Sequence, residues 1–259
     1  TNMESMFQEC SGFNQDISNW NTQDVSNMKN MFKGAIKFDQ SLNDWSVNKV
    51  TIIEGMFHDA SAFNQPLDKW ANDVSNVTTM ESMFDGALSF NQDISAWNTQ
   101  DVSNMKSMFK GAIQFNEPLN DWSVNEVTTM EGMFQDASAF DKQLYNWNVN
   151  NVQNMRFMFK NAKKFNQDLS SWSVNKVRNM EGMFQNATSF NKTLKDWSNN
   201  INLVSDFSGM FSGASSFNSE IFTINSINVT NVDHMFENAS SFDQPFKIEL
   251  RNCNNITRL

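Results

Sequence analysis

Few side chains in this sequence are of the types that carry out catalysis or bind metal ions. The chain has two cysteines, Cys10 and Cys253, and two histidines, His58 and His234. Carboxylates are plentiful, but a glycosidase needs two of them facing each other across about 5–10 Å, and no spacing singles out such a pair. The sequence contains no Gly-rich phosphate loop, nucleophile elbow or Cys/His cluster with metal-ligand spacing. We therefore predict a protein that is not an enzyme and that has no catalytic residues, metal ligands or cofactors.

Charge and composition exclude further classes of protein. The 259 residues include 19 Lys and Arg against 29 Asp and Glu, which gives a net charge of -10. An acidic chain is a poor partner for nucleic acid or an anionic membrane. No run of 18 apolar residues predicts a membrane-spanning helix. Charged residues make up only 19% of the chain, whereas there are 24 Phe, 8 Trp and 17 Met, and so apolar a composition argues against disorder.

An internal repeat accounts for most of the aromatic residues, and it predicts ten stacked coils. Met-Phe pairs recur every 25 residues, except for two steps of 27, and a second Phe follows six residues after each first one. Eight of the ten units then have Trp seven residues later, and the ninth has Ile224. The longer units carry their extra residues between Trp70 and Val77 and between Trp197 and Val204, where we expect bulges. The paired Phe residues are Phe7, Phe32, Phe57, Phe84, Phe109, Phe134, Phe159, Phe184, Phe211 and Phe236.

The first part of each unit has the features of a short helix. Ser or Thr stands five residues before the paired Met in eight units, and Glu follows three residues later in four of them, as in Thr51 and Glu54. This spacing is typical of a capping box. Apolar residues then recur at helical spacing, and Gly, Asp or Asn follows two residues after Phe in nine units, where a left-handed residue would end the helix. The pattern predicts a capped helix of about two turns.

The second part of each unit predicts a strand and a polar corner. Alternation across Trp45-Ser46-Val47 favours a short strand with Trp and Val inward, stacking into a parallel sheet. Asn or Asp follows the second Phe in all ten units, from Asn14 to Asp243, and a ladder of these side chains would bond the backbone at the corners. We predict an α/β solenoid similar to leucine-rich repeats, with one strand and one helix per coil, ten coils over residues 1–245, and a capping strand or tail over 246–259. The predicted core includes Phe32, Phe38, Trp45, Phe109, Phe115, Trp122, Phe159, Phe165 and Trp172.

The cysteines and histidines fit structural roles in this array. Cys10 stands where the other nine units have Ala, which predicts a small buried side chain. Cys253 lies in the tail, about 45 Å away if coils advance by about 4.8 Å, so the two cannot form a disulfide within one chain. His58 and His234 occupy non-equivalent positions, and a solvated or capping role is favoured over a metal or catalytic one.

Polar residues on either side of Trp occupy the outward positions of the predicted strand and form a regular exposed face, which we call the Trp-corner face. It is interpreted either as solvated surface or as an extended binding surface for carbohydrate or protein. Its residues are Asn19, Asn21, Asp44, Ser46, Asn98, Asp121, Ser123, Asn146, Asn148, Ser171 and Ser173.

The repeat resembles a known family along nearly the whole chain. The segment 76–97, NVTTMESMFDGALSFNQDISAW, is similar to the 25- to 26-residue surface-protein repeat of mycoplasma, Listeria and lactobacillus lipoproteins, which is related to the BspA-like leucine-rich repeats. The resemblance implies a solenoid on a bacterial cell surface, with roles in adhesion, virulence and binding to host or matrix, and it brings no catalytic motif. The chain departs from the repeat at Ile224 and Glu249, which replace Trp.

Together these features predict a non-enzymatic cell-surface protein that binds a protein or carbohydrate of a host or neighbouring cell. The alternative is a structural protein that self-associates as a surface layer or filament. The sequence opens at Thr1 inside a repeat, so we expect a fragment of a longer protein, with any lipid or wall anchor in segments outside it. Neither nucleic acid nor a transmembrane segment is expected.

Overall fold

The chain winds into a stack of ten coils held together by columns of aromatic rings. A computed structural model describes residues 1–224 and 227–248. In one column, the first Phe of each coil stacks on that of the next coil at 5.5–5.7 Å between ring centroids, from Phe7 to Phe236. The second Phe of each coil forms a parallel column, and Phe134 and Phe140 of one coil lie 4.0 Å apart. The nine predicted core residues are all buried, with 0–3% of their surface exposed: Phe32, Phe38, Trp45, Phe109, Phe115, Trp122, Phe159, Phe165 and Trp172.

The predicted helix is absent, because the backbone bonds to the next coil instead of to itself. Among the residues described there is no α-helix, and the three helices present are short 3-10 turns. In the second coil, alternate amides of residues 28–34 donate to the third coil: Met28 to Ile52, Asn30 to Glu54, Phe32 to Met56 and Gly34 to His58, at 2.7–3.0 Å. The amides between them close tight turns, such as Met31 to Met28 at 3.2 Å. We call this segment of each coil the ladder segment.

Two left-handed residues in every coil explain why a helical sequence pattern gives turns. The residue before each paired Met and the residue two after each Phe both have positive φ, for example Asn30 at 54° and Gly34 at 70°. The tolerance of the second position for left-handed backbone is confirmed, and Glu9, which departs from the pattern, also adopts φ 59°. Since a left-handed residue interrupts a helix, the chain makes successive turns with a period of four. The residues that these turns bury, Met28, Met31 and Ala35, are also the ones that an α-helix, with 3.6 residues per turn, would place on one face.

The predicted capping box is also wrong. The hydroxyl of Thr51 donates to the carbonyl of Ser26 in the preceding coil at 3.3 Å, rather than capping amides of its own coil. The amide of Thr51 donates to the same carbonyl at 3.0 Å. Glu54 forms an ion pair with Lys29 at 2.7 Å. Residues predicted to begin helices therefore join neighbouring coils.

The parallel pairing runs along the ladder segments, not along the predicted Trp strand. Isolated parallel bridges join equivalent residues of neighbouring coils, from Asn2–Asn27 to Asp206–Asn231. Each bridged residue directly precedes the first apolar residue of its ladder segment, as Asn27 precedes Met28. At the Trp corner the chain turns instead, with the Trp45 amide bonded to the Leu42 carbonyl at 3.0 Å. Trp45 and Val47 do point inward, with 2% and 1% exposure. One parallel bridge near the predicted place joins Ile224 to Ile248.

Each buried indole reaches back to the coil before it. The Trp172 Nε1–H donates to the Leu144 carbonyl at 3.0 Å, and the same bond recurs for the other Trp residues from Trp45 to Trp197 at 2.8–3.1 Å. Trp is therefore fixed at its corner by a hydrogen bond as well as by its apolar surface.

The predicted Asn ladder is confirmed over all ten coils. The Oδ1 atom of Asn14 accepts the amide of Asp39 at 2.9 Å, and Asp39 in turn accepts the amide of Asn64 at 2.9 Å. The series continues without a break to Asn218 and Asp243. One side chain per coil thus satisfies a corner amide that would otherwise lack a partner.

The two longer coils accommodate their extra residues as predicted, on one side of the stack. There the chain forms 3-10 helices at Asp68–Trp70 and Asp73–Asn76 in one coil and at Lys195–Asn199 in the other. The ladder, Asn and Phe columns continue through these coils in the same register.

The first coil differs from the inner ones because only one of its sides is covered by another coil. Cys10, predicted to be buried, is exposed, whereas Ala35 at the equivalent position has 0% exposure. Trp20 is 36% exposed for the same reason. Cys253 and most of the predicted tail lie outside the described residues. In the part of the tail that is described, Phe246 packs edge-on against Phe236 at 5.2 Å.

Candidate functional site

The Trp-corner face is solvent-accessible along the stack, but many of its polar groups bond to neighbouring coils. Its eleven predicted residues are all exposed or half-exposed. The Asn148 amide group donates to Asn125 Oδ1 at 2.9 Å, and that of Asn146 donates to Asp121 Oδ1 at 3.4 Å. Lys69 pairs with Asp44, which raises the pKa of the lysine. The face is therefore a set of aligned polar rows rather than a closed pocket.

Tyr145 lies on this same face and was not singled out from the sequence. It is the chain's only tyrosine, it stands two residues before Trp147, and 52% of its surface is exposed. Its carbonyl accepts the hydroxyl of Ser171 in the next coil at 3.2 Å. An aromatic ring with a polar tip beside aligned amides adds a contact type that the polar rows lack.

A second regular surface lies on the outside of the ladder segments, and we call it the ladder face. One of its rows mixes five acids with three bases, and every base stands between two acids: Glu4, Lys29, Glu54, Glu81, Lys106, Glu131, Arg156 and Glu181. Cations in this row pair with the acid of the next coil, at 2.7 Å for Lys29–Glu54 and for Arg156–Glu181. The hydrogen bond to Glu54, with the charges of Glu4 and Glu81, raises the pKa of Lys29. The three ion pairs of this row, Lys29–Glu54, Lys106–Glu131 and Arg156–Glu181, join neighbouring coils.

One carboxyl group of the ladder face is held in a less favourable environment. The Asp85 side chain is only 14% exposed and lies 3.5 Å from Lys110. Burial raises the pKa of the Asp85 carboxyl, against the lowering effects of Lys110 and His58. His58 itself lies 3.3 Å from Asp59, and His234 lies 3.4 Å from Glu237. His58 belongs to the third coil and His234 to the tenth, so each histidine has a carboxylate beside it but not the other histidine.

Within the described residues, no group of three or more His, Cys, Asp or Glu side chains is placed to hold a metal ion. The same residues include no helix with the length and apolarity that crossing a bilayer requires.

Sequence comparison assigns the repeat to a family. Four overlapping segments, 1–73, 71–172, 120–202 and 168–259, match the family described as "Mycoplasma protein of unknown function, DUF285". The chain belongs to this family. The comparison with curated proteins finds no match.

Among solved structures, two longer proteins show a distant likeness to this chain. In the Toll–Spatzle complex of Drosophila, described as a hub in development and innate immunity, the alignment covers 91% of this chain and 34% of the other, at 12% identity and a TM-score of 0.37. For an internalin of Listeria monocytogenes it covers 88% and 78%, at 10% identity and a TM-score of 0.24. This chain thus spans about a third of the Toll-complex chain.

Proposed function

We propose that this chain is a non-enzymatic cell-surface protein of the mycoplasma repeat family, binding a protein or carbohydrate of a host or neighbouring cell. The observation that supports it is the regularity of the Trp-corner face. Polar side chains recur there at equivalent positions in six coils, the first, the second and the fourth to seventh. They flank indoles that, from Trp45 on, are bonded to the preceding coil at 2.8–3.1 Å. Solenoids generally use such extended surfaces for binding.

The alignment of side chains on the Trp-corner face before any ligand binds favours this function. Ordering of surface groups on association costs free energy, and a surface already held in place avoids part of that cost. Here the side chains of Asp121 and Asn146 are already aligned by their mutual contact at 3.4 Å, and Tyr145 beside them is exposed. A ligand with hydrogen-bonding groups in regular spacing would meet prepared partners.

The test is binding of the purified, fluorescently labelled chain to host cells. We expect saturable binding that falls about ten-fold or more in the double variant Asp121→Arg/Asn146→Arg, since bulky cations at a central contact cost over about 1.4 kcal/mol. The control is Gln114→Arg, at an exposed residue that directly precedes Phe115 and is not part of the Trp-corner face. Equal binding by the double variant would exclude this face, and no saturable binding to any cell type tested would contradict the proposal.

Self-association is the alternative function, and one contact bears on its geometry. A filament built by continuing the Phe column would need a ring stacked face to face on Phe236, but Phe246 packs against that ring at an interplanar angle of 74°. We therefore rank ligand binding first. Light scattering distinguishes the two functions, because concentration-dependent polymers without ligand binding would favour the structural alternative.

A further inference from the structure

A groove on the ladder face departs from the regularity of the repeat. It has a volume of about 340 Å³ and runs across the seventh to tenth coils, within the size range of small-ligand sites. Its ends are marked by Phe157 and His234, and its floor by Gly182 and Gly209. These four residues occupy the same position in successive coils, just before the paired Met. Three coil steps of about 4.8 Å give a length near 14 Å.

Phe157 is the unusual residue in this row. It adopts φ 57°, a left-handed conformation that is an outlier for a bulky side chain and often marks a functional position. The other members of the row are Ser, Asn, Gly or His. Its ring is fixed on several sides: the Arg156 guanidinium lies 4.4 Å and the Lys160 ammonium 4.6 Å from the ring centroid. A Cβ atom at Gly182 would come within 2.6 Å of two ring carbons, so this ring position requires glycine in the next coil.

The groove also contains polar groups without hydrogen-bond partners. Ser212 is 7% exposed, and it bonds to its neighbours through its main chain, with its amide donating to Gly209 and its carbonyl accepting from Asn186. Ser212 is one of the residues that line the groove, and its hydroxyl forms no hydrogen bond to the described residues. The Oδ1 atom of Asp233, another lining residue, is buried and has no partner in the same part of the chain. Buried polar atoms without partners are rare, so Asp233 Oδ1 is open to a water molecule or to a ligand group from outside the chain.

The distribution of charge selects among ligand classes. Lys160 makes the Phe157 end cationic, since Arg156 is paired with Glu181 at 2.7 Å, whereas Asp233 and Glu237 make the other end anionic. A ligand of one charge is repelled at one end or the other. An uncharged polyol avoids this conflict, because its hydroxyls donate to Asp233 and accept from Ser212 or Lys160, while its C–H groups contact the Phe157 ring where that residue lines the groove.

We propose that this groove binds a neutral oligosaccharide of about three sugar units, with Phe157 as its apolar contact and Ser212 and Asp233 as its hydrogen-bonding residues. This site is separate from the Trp-corner face and does not depend on that face binding anything.

The test is NMR titration of the whole chain with maltotriose, cellotriose and chitotriose in turn, and with trilysine as a cationic peptide probe. We expect at least one trisaccharide to shift the amide signals of Gly209 and Ser212 and to saturate. Gly209→Asn should fill the floor and weaken binding about ten-fold or more. The fold should tolerate this change, because the nearest atoms to a Cβ there are 3.9 Å away and Asn30 adopts the same conformation in the second coil.

The matched control is Gly132→Asn, at the equivalent position outside the groove, where a Cβ has 3.4 Å of clearance; it should bind as the wild type does. Asp233→Asn provides a second variant that leaves the backbone unaltered, and it should also weaken binding about ten-fold. The proposal is overturned if no trisaccharide gives saturable shifts, if both groove variants bind normally, or if trilysine alone binds.

Discussion

At the scale of single residues, the indole hydrogen bond connects a buried side chain of one coil to the backbone of the coil before it. In Trp172→Phe the ring is retained but the Leu144 carbonyl, now 3.0 Å from its donor, loses its partner. We expect a loss of about 1–3 kcal/mol in the free energy of unfolding, the usual cost of an unsatisfied buried group. Urea denaturation measures it. Trp20→Phe, at a site 36% exposed, is the control and should change stability by less than about 0.5 kcal/mol. Equal losses would show that the buried hydrogen bond contributes little.

Asp85 gives a prediction about pH. Because burial raises its pKa in the folded chain, the protonated form is favoured by folding, and that stabilisation is lost as pH rises through the folded-state pKa. Asp85→Asn, which cannot ionise, should therefore raise the thermal midpoint at pH 7 and have little effect in acid, where the wild-type carboxyl is already protonated. The exposed Asp101→Asn should show no such contrast. A lower midpoint for Asp85→Asn at pH 7 would mean that the pairing with Lys110 outweighs burial.

At the scale of elements, the Asn ladder depends on an acceptor oxygen rather than on an amide. Asn91 accepts the amide of Asn116 at 2.7 Å, so Asn91→Ala should cost about 1–2 kcal/mol in the free energy of unfolding. Asn91→Asp keeps the acceptor, as Asp39 and Asp141 do at equivalent corners, and should retain most of the stability. Both are measured by chemical denaturation, and identical losses in the two variants would disprove the role of the acceptor.

The repeat, the buried aromatic positions and the Asn ladder were predictable because each follows from residue spacing alone. The secondary structure was not. A run of turns with a period of four buries Met28, Met31 and Ala35 much as a helix would, and hydroxyls such as that of Thr51 suit either a cap or a bond between coils. A contrary signal was present, since Gly55, Gly132, Gly182 and Gly209 fall in the middle of the predicted helix, where glycine is unfavourable. The groove at Phe157 could not be foreseen, because it depends on side chains from four coils.

At the scale of the whole molecule, every coil is stabilised mainly by its neighbours, so damage should spread along the array. Phe134 has 0% exposure and stacks on Phe109 and Phe159. Phe134→Ala should cost about 3–5 kcal/mol and accelerate amide hydrogen exchange in adjacent coils as well as its own. Phe13→Ala, in the half-covered first coil, should cost less and affect only the coils near it. Exchange confined to the sixth coil in Phe134→Ala would contradict such coupling.

The most direct test of the fold that positions both candidate surfaces is the identity of the acceptor for a ladder amide. Through-hydrogen-bond NMR coupling on a deuterated sample identifies which carbonyl carbon is paired with the Phe109 amide nitrogen. We expect a coupling to Met133 of the next coil, whose oxygen lies 2.9 Å from that nitrogen. A coupling to Met105, four residues earlier in the same coil, would instead establish an α-helix and contradict the account.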